Sequence, residues 1–467
     1  MRTLLTLALS LVSVTPLWGQ PQRYELGRRL KAFEAEWDKI ENPDARKRAL
    51  SDLPKLTTQF FSLQLGEAAR TLDLALHALK TDIPPTAAQQ FIWSLAAVPE
   101  SRIVDDTAKE LSVVIQPLYS IKGSTPKQLE LQLWFTDKQV VKIQPEQFPV
   151  TVKVPLPALN GSMGLDRKLY FLADGAQELR PAAIGISQIA NFQKRLDVLR
   201  KATEGSVTTI EQATARERAL LLSEVAAKPS RVPETDLPFA ELLANAEAML
   251  DEKPFFTAER HGQFWMSVPL ASGKVVPCRV LVPKGLNPKK PIPVVFALHG
   301  AGVNENMFFE SYGAGRIVKE CEERGWLLVA PRSSGFGSAP PVLDLFSKLA
   351  ERYPLDAKSV FLVGHSMGAG QAISLAQASP DQFAGVAALG GGSRPAKPEA
   401  LAKLPVFVGI GLRDTIGLSG AQALNKTLLA TGAKNLTYKE YPHLEHLVIV
   451  GAALPDVFRM FDRVLKN

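Results

Sequence analysis

Ser366 lies in Gly364-His365-Ser366-Met367-Gly368, directly after the apolar run Val360-Phe361-Leu362-Val363 and before the helix-compatible stretch Gln371 to Gln377. A serine hydroxyl becomes a useful nucleophile when a base takes its proton, and a sharp turn from strand to helix presents that hydroxyl to a substrate. Such a turn strains the backbone and crowds the positions two before and two after the serine, so both must be small; Gly364 and Gly368 meet that demand. Upstream, the run Pro293 to Leu298 ends in His299-Gly300-Ala301-Gly302, a loop of small residues whose backbone N–H groups can approach a substrate oxyanion. Downstream, Val406 to Ile410 ends in Gly411-Leu412-Arg413-Asp414, which puts a carboxylate at the end of a strand. A last strand runs into Tyr441-Pro442-His443-Leu444-Glu445-His446 and offers two imidazoles. Nucleophile, acid and base thus follow in the order Ser, Asp, His, each at the carboxyl edge where open α/β sheets bind ligands.

These positions need a sheet to hold them. From residue 262 onward, short runs rich in Val, Ile and Phe alternate with helical segments: Val275 to Val282, Pro293 to Leu298, Trp326 to Ala330, Val360 to Val363, Gly385 to Leu389, Val406 to Ile410 and Leu436 to Tyr441. Near-continuous apolar strands separated by helices predict a mostly parallel, doubly wound α/β sheet covered on both faces. Before it, Leu26, Leu30, Phe33 and Trp37 recur at helical spacing, as do Phe60, Leu63, Ala69, Leu72, Leu76 and Leu79. The period then becomes that of strands, with Leu129, Leu131, Leu133 and Phe135 alternating with polar or larger neighbours and Val150, Val152 and Val154 doing the same. Helical segments return at about 189–202, 208–227 and 240–250. The expected organisation is a leader over 1–19, a helical region over 20–110, a small β module over 111–182, a helical linker region over 183–260, and a catalytic domain over 261–467. A segment of the last length can bury a sizeable core, so it is expected to fold alone.

The motifs at residues 364–368, with Tyr353-Pro354-Leu355-Asp356 before the nucleophile strand, make residues 262–467 resemble an α/β-hydrolase, and in particular the secreted esterases of the polyhydroxybutyrate-depolymerase and feruloyl-esterase type and related predicted peptidases. Ala369-Gly370 departs from the further small residue of glycine type that these families often carry. The resemblance implies Ser366 as nucleophile, Asp414 as the acid that orients the base, and the N–H groups of Ala301 and Met367 as oxyanion donors. Aligned on the family's Tyr-Pro turn, His446 is the base and His443 a turn residue. His299, Gly302, Arg332, His365 and His443 are expected to line the substrate site, Arg332 because its loop borders the active site in this fold. Asp356 reads as a turn residue, not the acid. His443-x-x-His446 lacks companion ligands, so no metal and no cofactor are expected.

The remaining composition narrows the rest. The chain has 467 residues, which favours two or three domains, and 46% hydrophobic with 22% charged residues excludes collagen-like and disordered classes. Residues 1–261 carry 32 basic against 32 acidic side chains, while residues 262–467 carry 22 against 15, with no basic run of the kind that binds nucleic acid. Arg2, the apolar stretch Leu4 to Val14 and the break from Pro16 to Gly19 form a secretory leader, so export to a periplasm or the exterior is expected, with no stable membrane span. Cys278 and Cys321 can pair in such a compartment or remain buried thiols. The function these features support is hydrolysis of a small or polymeric carboxylic ester. The same residues also serve a peptidase or an acyltransferase, and a non-catalytic envelope-binding protein is the alternative from another class.

Overall fold

The structure is a computed structural model and describes residues 19–122, 129–136, 139–174, 182–228, 234–251, 253–333 and 338–466. All of the expected leader except Gly19 lies outside these residues. The chain opens with helices α1 (Gly19–Trp37), α2 (Pro43–Ala49), α3 (Pro54–Phe61), α4 (Leu65–Lys80) and α5 (Ala87–Ser94). Their starts are local chemistry. Asn42 caps α2 by accepting from the Asp44 and Ala45 N–H groups, and Thr86 with Gln89 forms a reciprocal capping box at α5.

Strands follow: β1 (Leu95–Pro99), β2 (Ile103–Asp105), β3 (Glu110–Pro117), β4 (Leu131–Trp134), β5 (Val140–Ile143), β6 (Val150–Pro155), β7 (Gly164–Ala173) and β8 (Ala182–Ile189). They form a three-stranded sheet β1-β3-β6 and a five-stranded sheet β2-β8-β7-β4-β5. Leu111, Val113 and Ile115 of the first meet Leu131, Leu169, Phe171 and Ile184 of the second in one apolar cluster. The β region is therefore a sandwich, and it starts at Leu95, earlier than its expected boundary at 111. Helices α6 (Phe192–Ala202), α7 (Ile210–Ala227) and α8 (Phe239–Ala248) lead out of it.

The remaining elements are β9 (Gly262–Pro269), β10 (Val275–Val282), β11 (Ile292–Leu298), α9 (Met307–Glu310), α10 (Arg316–Arg324), β12 (Leu327–Pro331), α11 (Val342–Ala350), β13 (Leu355–His365), α12 (Met367–Ala378), β14 (Gly385–Leu389), β15 (Val406–Gly411), α13 (Leu418–Ala430), β16 (Leu436–Tyr441) and α14 (Ile449–Val464). One eight-stranded sheet runs β9-β10-β12-β11-β13-β14-β15-β16. The β9–β10 and β10–β12 pairs are antiparallel and the other five are parallel. This is the expected mostly parallel, doubly wound sheet, with β9 added at one edge.

Alternation along β11 sends Val294 and Phe296 to one face and Val295 and Ala297 to the other. On the second face these residues share a core with Leu30, Phe33, Leu56 and Leu72 of the first helices and with Phe458 and Phe461 of α14. On the first face Leu199, Leu222 and Leu243 of α6–α8 join the cluster that α12 and α13 complete. The helices on both sides of the sandwich thus cover the same sheet that carries Ser366. Removing them uncovers part of both faces, so residues 261–467 expressed alone are now expected to be insoluble or to lack a cooperative thermal transition, against the expectation from length. A soluble fragment with the full chain's melting behaviour would contradict this.

The contact of α1 with the region after residue 261 contains a buried acid pair. Glu34 and Glu445 are 2% and 1% exposed. Burial raises the Glu445 carboxyl above its usual range, opposed by the Val448 and Leu447 N–H groups that its Oε1 accepts, whereas Oε1 of Glu34 has no partner. Burial first, then the Glu445 charge and that of Asp38, push the Glu34 carboxyl well above its usual range, opposed by the Gly313 N–H and Arg316. Folded protein therefore holds a proton that unfolded protein releases near the ordinary glutamate range, and stability falls as pH rises from there toward the raised value. Glu34→Gln keeps the shape without the ionisation. Melting temperatures followed from about pH 5 to about pH 9 are expected to fall less for the variant than for the unmodified chain; parallel curves would contradict the assignment.

Candidate active site

β13 ends at His365, α12 begins at Met367, and Ser366 between them has φ 55° and ψ −117°. A non-glycine residue in that region is strained and is held there by its surroundings. The glycines explain how. A Cβ on Gly364 would lie 2.1 Å from the Gly368 carbonyl oxygen, and one on Gly368 would lie 2.0 Å from the Leu298 carbonyl oxygen. The Ser366 N–H donates to the Leu389 carbonyl at 2.9 Å, which ties the elbow to the end of β14.

Three side chains from three strand ends converge there. Oγ of Ser366 is 2.9 Å from Nε2 of His446, and Nδ1 of His446 is 2.8 Å from Oδ2 of Asp414. Asp414 is 1% exposed, and its Oδ1 accepts the N–H groups of Ile416 and Gly417 at 2.9 and 2.7 Å. An ionised carboxylate only accepts, so Nδ1 of His446 carries the hydrogen and Nε2 is left to accept from the serine hydroxyl. The loops bearing acid and base are stitched together by the Arg413 N–H, which donates to the Leu444 carbonyl at 2.9 Å. His443 sits in the same turn with φ 70°, exposed and outside the lining of the cleft beside Ser366.

The loop after β11 lies against the serine: a Cβ on Gly300 would come within 3.4 Å of the Ser366 Cβ. Ala301 and Gly302 line the cleft beside Ser366, and the Met367 N–H is in the first turn of α12, where a helix offers its own amides no acceptor. The cleft has a volume of about 870 Å³. His365, Ser366 and His446 line it together with Arg23 and Tyr24 of α1 and Phe60 of α3.

Three residues expected at the cleft lie elsewhere. His299 is buried beneath its loop, its Nδ1 2.8 Å from the Gly300 carbonyl and its Nε2 accepting the Ser333 N–H at 3.1 Å. Burial holds its pKa below the usual histidine value, which suits a neutral ring with one donor and one acceptor. Arg332 is engaged by Glu305 through two hydrogen bonds of 2.6 and 2.5 Å and faces a separate cavity of about 180 Å³. His443 is the exposed turn residue described above. The loop residues 334–337 after Arg332 lie outside the described residues. Asp356 makes a local turn, accepting from the Lys358 N–H and the Ser359 hydroxyl. Cys278 and Cys321 are unpaired and buried, and burial raises both thiol pKa values. Among the described residues no group of three or more His, Cys, Asp or Glu is placed to hold a metal ion, and no helix is long and apolar enough to cross a membrane.

Arg23 was not foreseen. Its Nη1 donates to Glu234 at 2.9 Å and to the Gly302 carbonyl at 3.1 Å, so the first helix reaches the loop beside Ser366. No motif surrounds it, and its partners lie more than 200 residues away in sequence.

Counted from β9, the strands stand in the order first, second, fourth, third, then fifth to eighth, with the serine elbow after the fifth. This order and elbow are those of the α/β-hydrolase fold, as the sequence motifs implied. No family model and no curated protein matches the chain. Solved structures to which it is similar include a ferulic acid esterase, at 16% identity over 44% of this chain and 98% of that one with a TM-score of 0.39. A thermostable esterase is similar at 15% identity over 80% of this chain and 99% of that one, also with a TM-score of 0.39. The S-formylglutathione hydrolase FrmB of Staphylococcus aureus is similar at 14% identity over 44% and 99%, with a TM-score of 0.37.

Proposed function

We propose that this protein is an exported serine hydrolase that cleaves carboxylic esters through an acyl-enzyme intermediate. The observation that carries the reading is the continuous line from the Ser366 hydroxyl through His446 to the buried Asp414, with the serine on a strained elbow that lines a cleft. In this reading Ser366 Oγ attacks the acyl carbonyl while its proton passes to His446 Nε2. The N–H groups of Ala301 and Met367 stabilise the oxyanion. His446 then gives the proton to the departing alkoxide oxygen, and water repeats the sequence in reverse to free the acid. Asp414 keeps Nδ1 protonated and stabilises the imidazolium. The chemistry needs no metal or cofactor.

An ester is favoured over an amide because its leaving group departs without the full protonation that an amine requires. The leader-like residues 1–19 support export, and the cleft walls from α1 and α3 support substrates larger than a short acyl ester. The mature full chain, assayed on nitrophenyl esters of graded acyl length, a feruloyl ester, a polymeric ester and a peptide amide, is expected to turn over esters and leave the amide intact. Preferential cleavage of the amide would make it a peptidase, and inertness toward all substrates would favour a binding protein on this fold.

A further inference from the structure

We infer that Tyr312 and His365 are positioning residues for the proposed reaction, holding the oxyanion loop and the base in register across the nucleophile strand. The inference rests on the functional reading above. Both side chains are 1% exposed. Nε2 of His365 is 2.8 Å from the main-chain carbonyl oxygen of His446, and Nδ1 is 2.7 Å from the Tyr312 hydroxyl oxygen. A carbonyl only accepts, so Nε2 carries the hydrogen; in a neutral ring Nδ1 is then the acceptor, and the Tyr312 O–H must donate to it. The Tyr312 oxygen in turn receives the Gly300 N–H. An unbroken line thus runs from the residue before Ala301, through Tyr312 and His365, to the backbone of His446.

The surroundings leave His365 little room. Its ring lies 4.7 Å from the Tyr312 ring and 4.7 Å from the His446 ring, centre to centre. A Cβ on Gly300 would come within 3.2 Å of both Tyr312 Oη and His365 Nδ1, and one on Gly390 would lie 3.0 Å from His365 Nε2. Burial and the neighbouring His446 charge hold the His365 pKa well below the usual value, so the ring stays neutral beside the imidazolium that forms during reaction. The geometry matters because the oxyanion donor Ala301 and the base come from loops after β11 and β16, which are not neighbours in the sheet. A misplacement of about 1 Å between such groups can cost about a hundredfold in rate. Tyr312 and His365 join the two loops through the residue that immediately precedes Ser366.

The test compares Tyr312→Phe, His365→Leu and His365→Gln in the full mature chain on a nitrophenyl ester, with melting temperatures and fluorophosphonate uptake recorded. Tyr312→Phe and His365→Leu are expected to lower kcat by about ten- to a hundredfold with KM within about threefold of the unmodified protein. His365→Gln can place an amide N–H on the His446 carbonyl and is expected to recover most of the loss. If His365→Leu does not fold, Tyr312→Phe decides. Unchanged kcat in folded Tyr312→Phe, a loss confined to KM, or a Gln variant as poor as Leu would overturn the positioning roles while leaving the hydrolase reading intact. An unmodified chain that neither turns over esters nor takes up the fluorophosphonate would overturn both together.

Discussion

Ser366→Ala is expected to lower ester turnover by on the order of a millionfold, the loss seen when a nucleophile is removed from a cooperating serine, histidine and acid set. The effect is this large because no other group can take over the covalent step: the elbow presents one hydroxyl to the cleft, and His446 without it has only water to activate. Stability should change little. The hydroxyl's partner is His446, and the elbow is held by backbone contacts at Gly364, Gly368 and Leu389 that alanine leaves in place. Turnover assays with circular dichroism and thermal melting check both halves of the expectation, and substantial esterase activity in the folded variant would remove Ser366 from the mechanism.

The second large effect is at the acid. Asp414→Asn keeps the size of the side chain, but an amide that turns its NH2 toward Nδ1 makes that nitrogen the acceptor and puts the ring hydrogen on Nε2, facing Ser366. The base is then in the wrong tautomer, and kcat is expected to fall about ten-thousandfold, as in other sets of this kind. The same assay separates the two histidines. His446→Ala should be as damaging as the serine change, while His443→Ala, on the exposed turn, should stay within about threefold of the unmodified rate. An Asp414→Asn chain near the unmodified rate would make that carboxylate structural, and the reverse order of the histidines would mean that the turn had been aligned wrongly.

The legible parts of the site were those whose requirements are local in sequence. Gly364 and Gly368 reveal the elbow because the crowding that excludes a Cβ acts within five residues, and Asp414 and His446 follow apolar runs whose carboxyl ends must meet at one edge of a parallel sheet. Their meeting within hydrogen-bond distance is what the fold adds. Arg332 and His299 stand in loops that were placed near the cleft, but which way a side chain turns depends on a partner such as Glu305 or Ser333, and the sequence around them does not name one. Tyr312 and Arg23 carry no motif at all, and their roles come from partners 53 and 279 residues away. The largest divergence concerns the helices before and after the sandwich. Their apolar stripes announce that something must cover Leu30, Phe33 and Leu222, but periodicity cannot say that the cover is the sheet carrying Ser366. β9 was missed for a related reason, since an antiparallel edge strand with polar positions lacks the continuous apolar run of its buried neighbours.

The most direct measurement is reaction of the mature full chain with a fluorophosphonate, followed by mass analysis of the peptides. A serine activated by a base and backed by oxyanion donors reacts with this probe, whereas an ordinary surface hydroxyl does not. The expected result is one adduct, located at Ser366, absent from Ser366→Ala and strongly slowed in His446→Ala. A chain that stays unlabelled, or one labelled equally in the Ser366→Ala variant, would contradict the account.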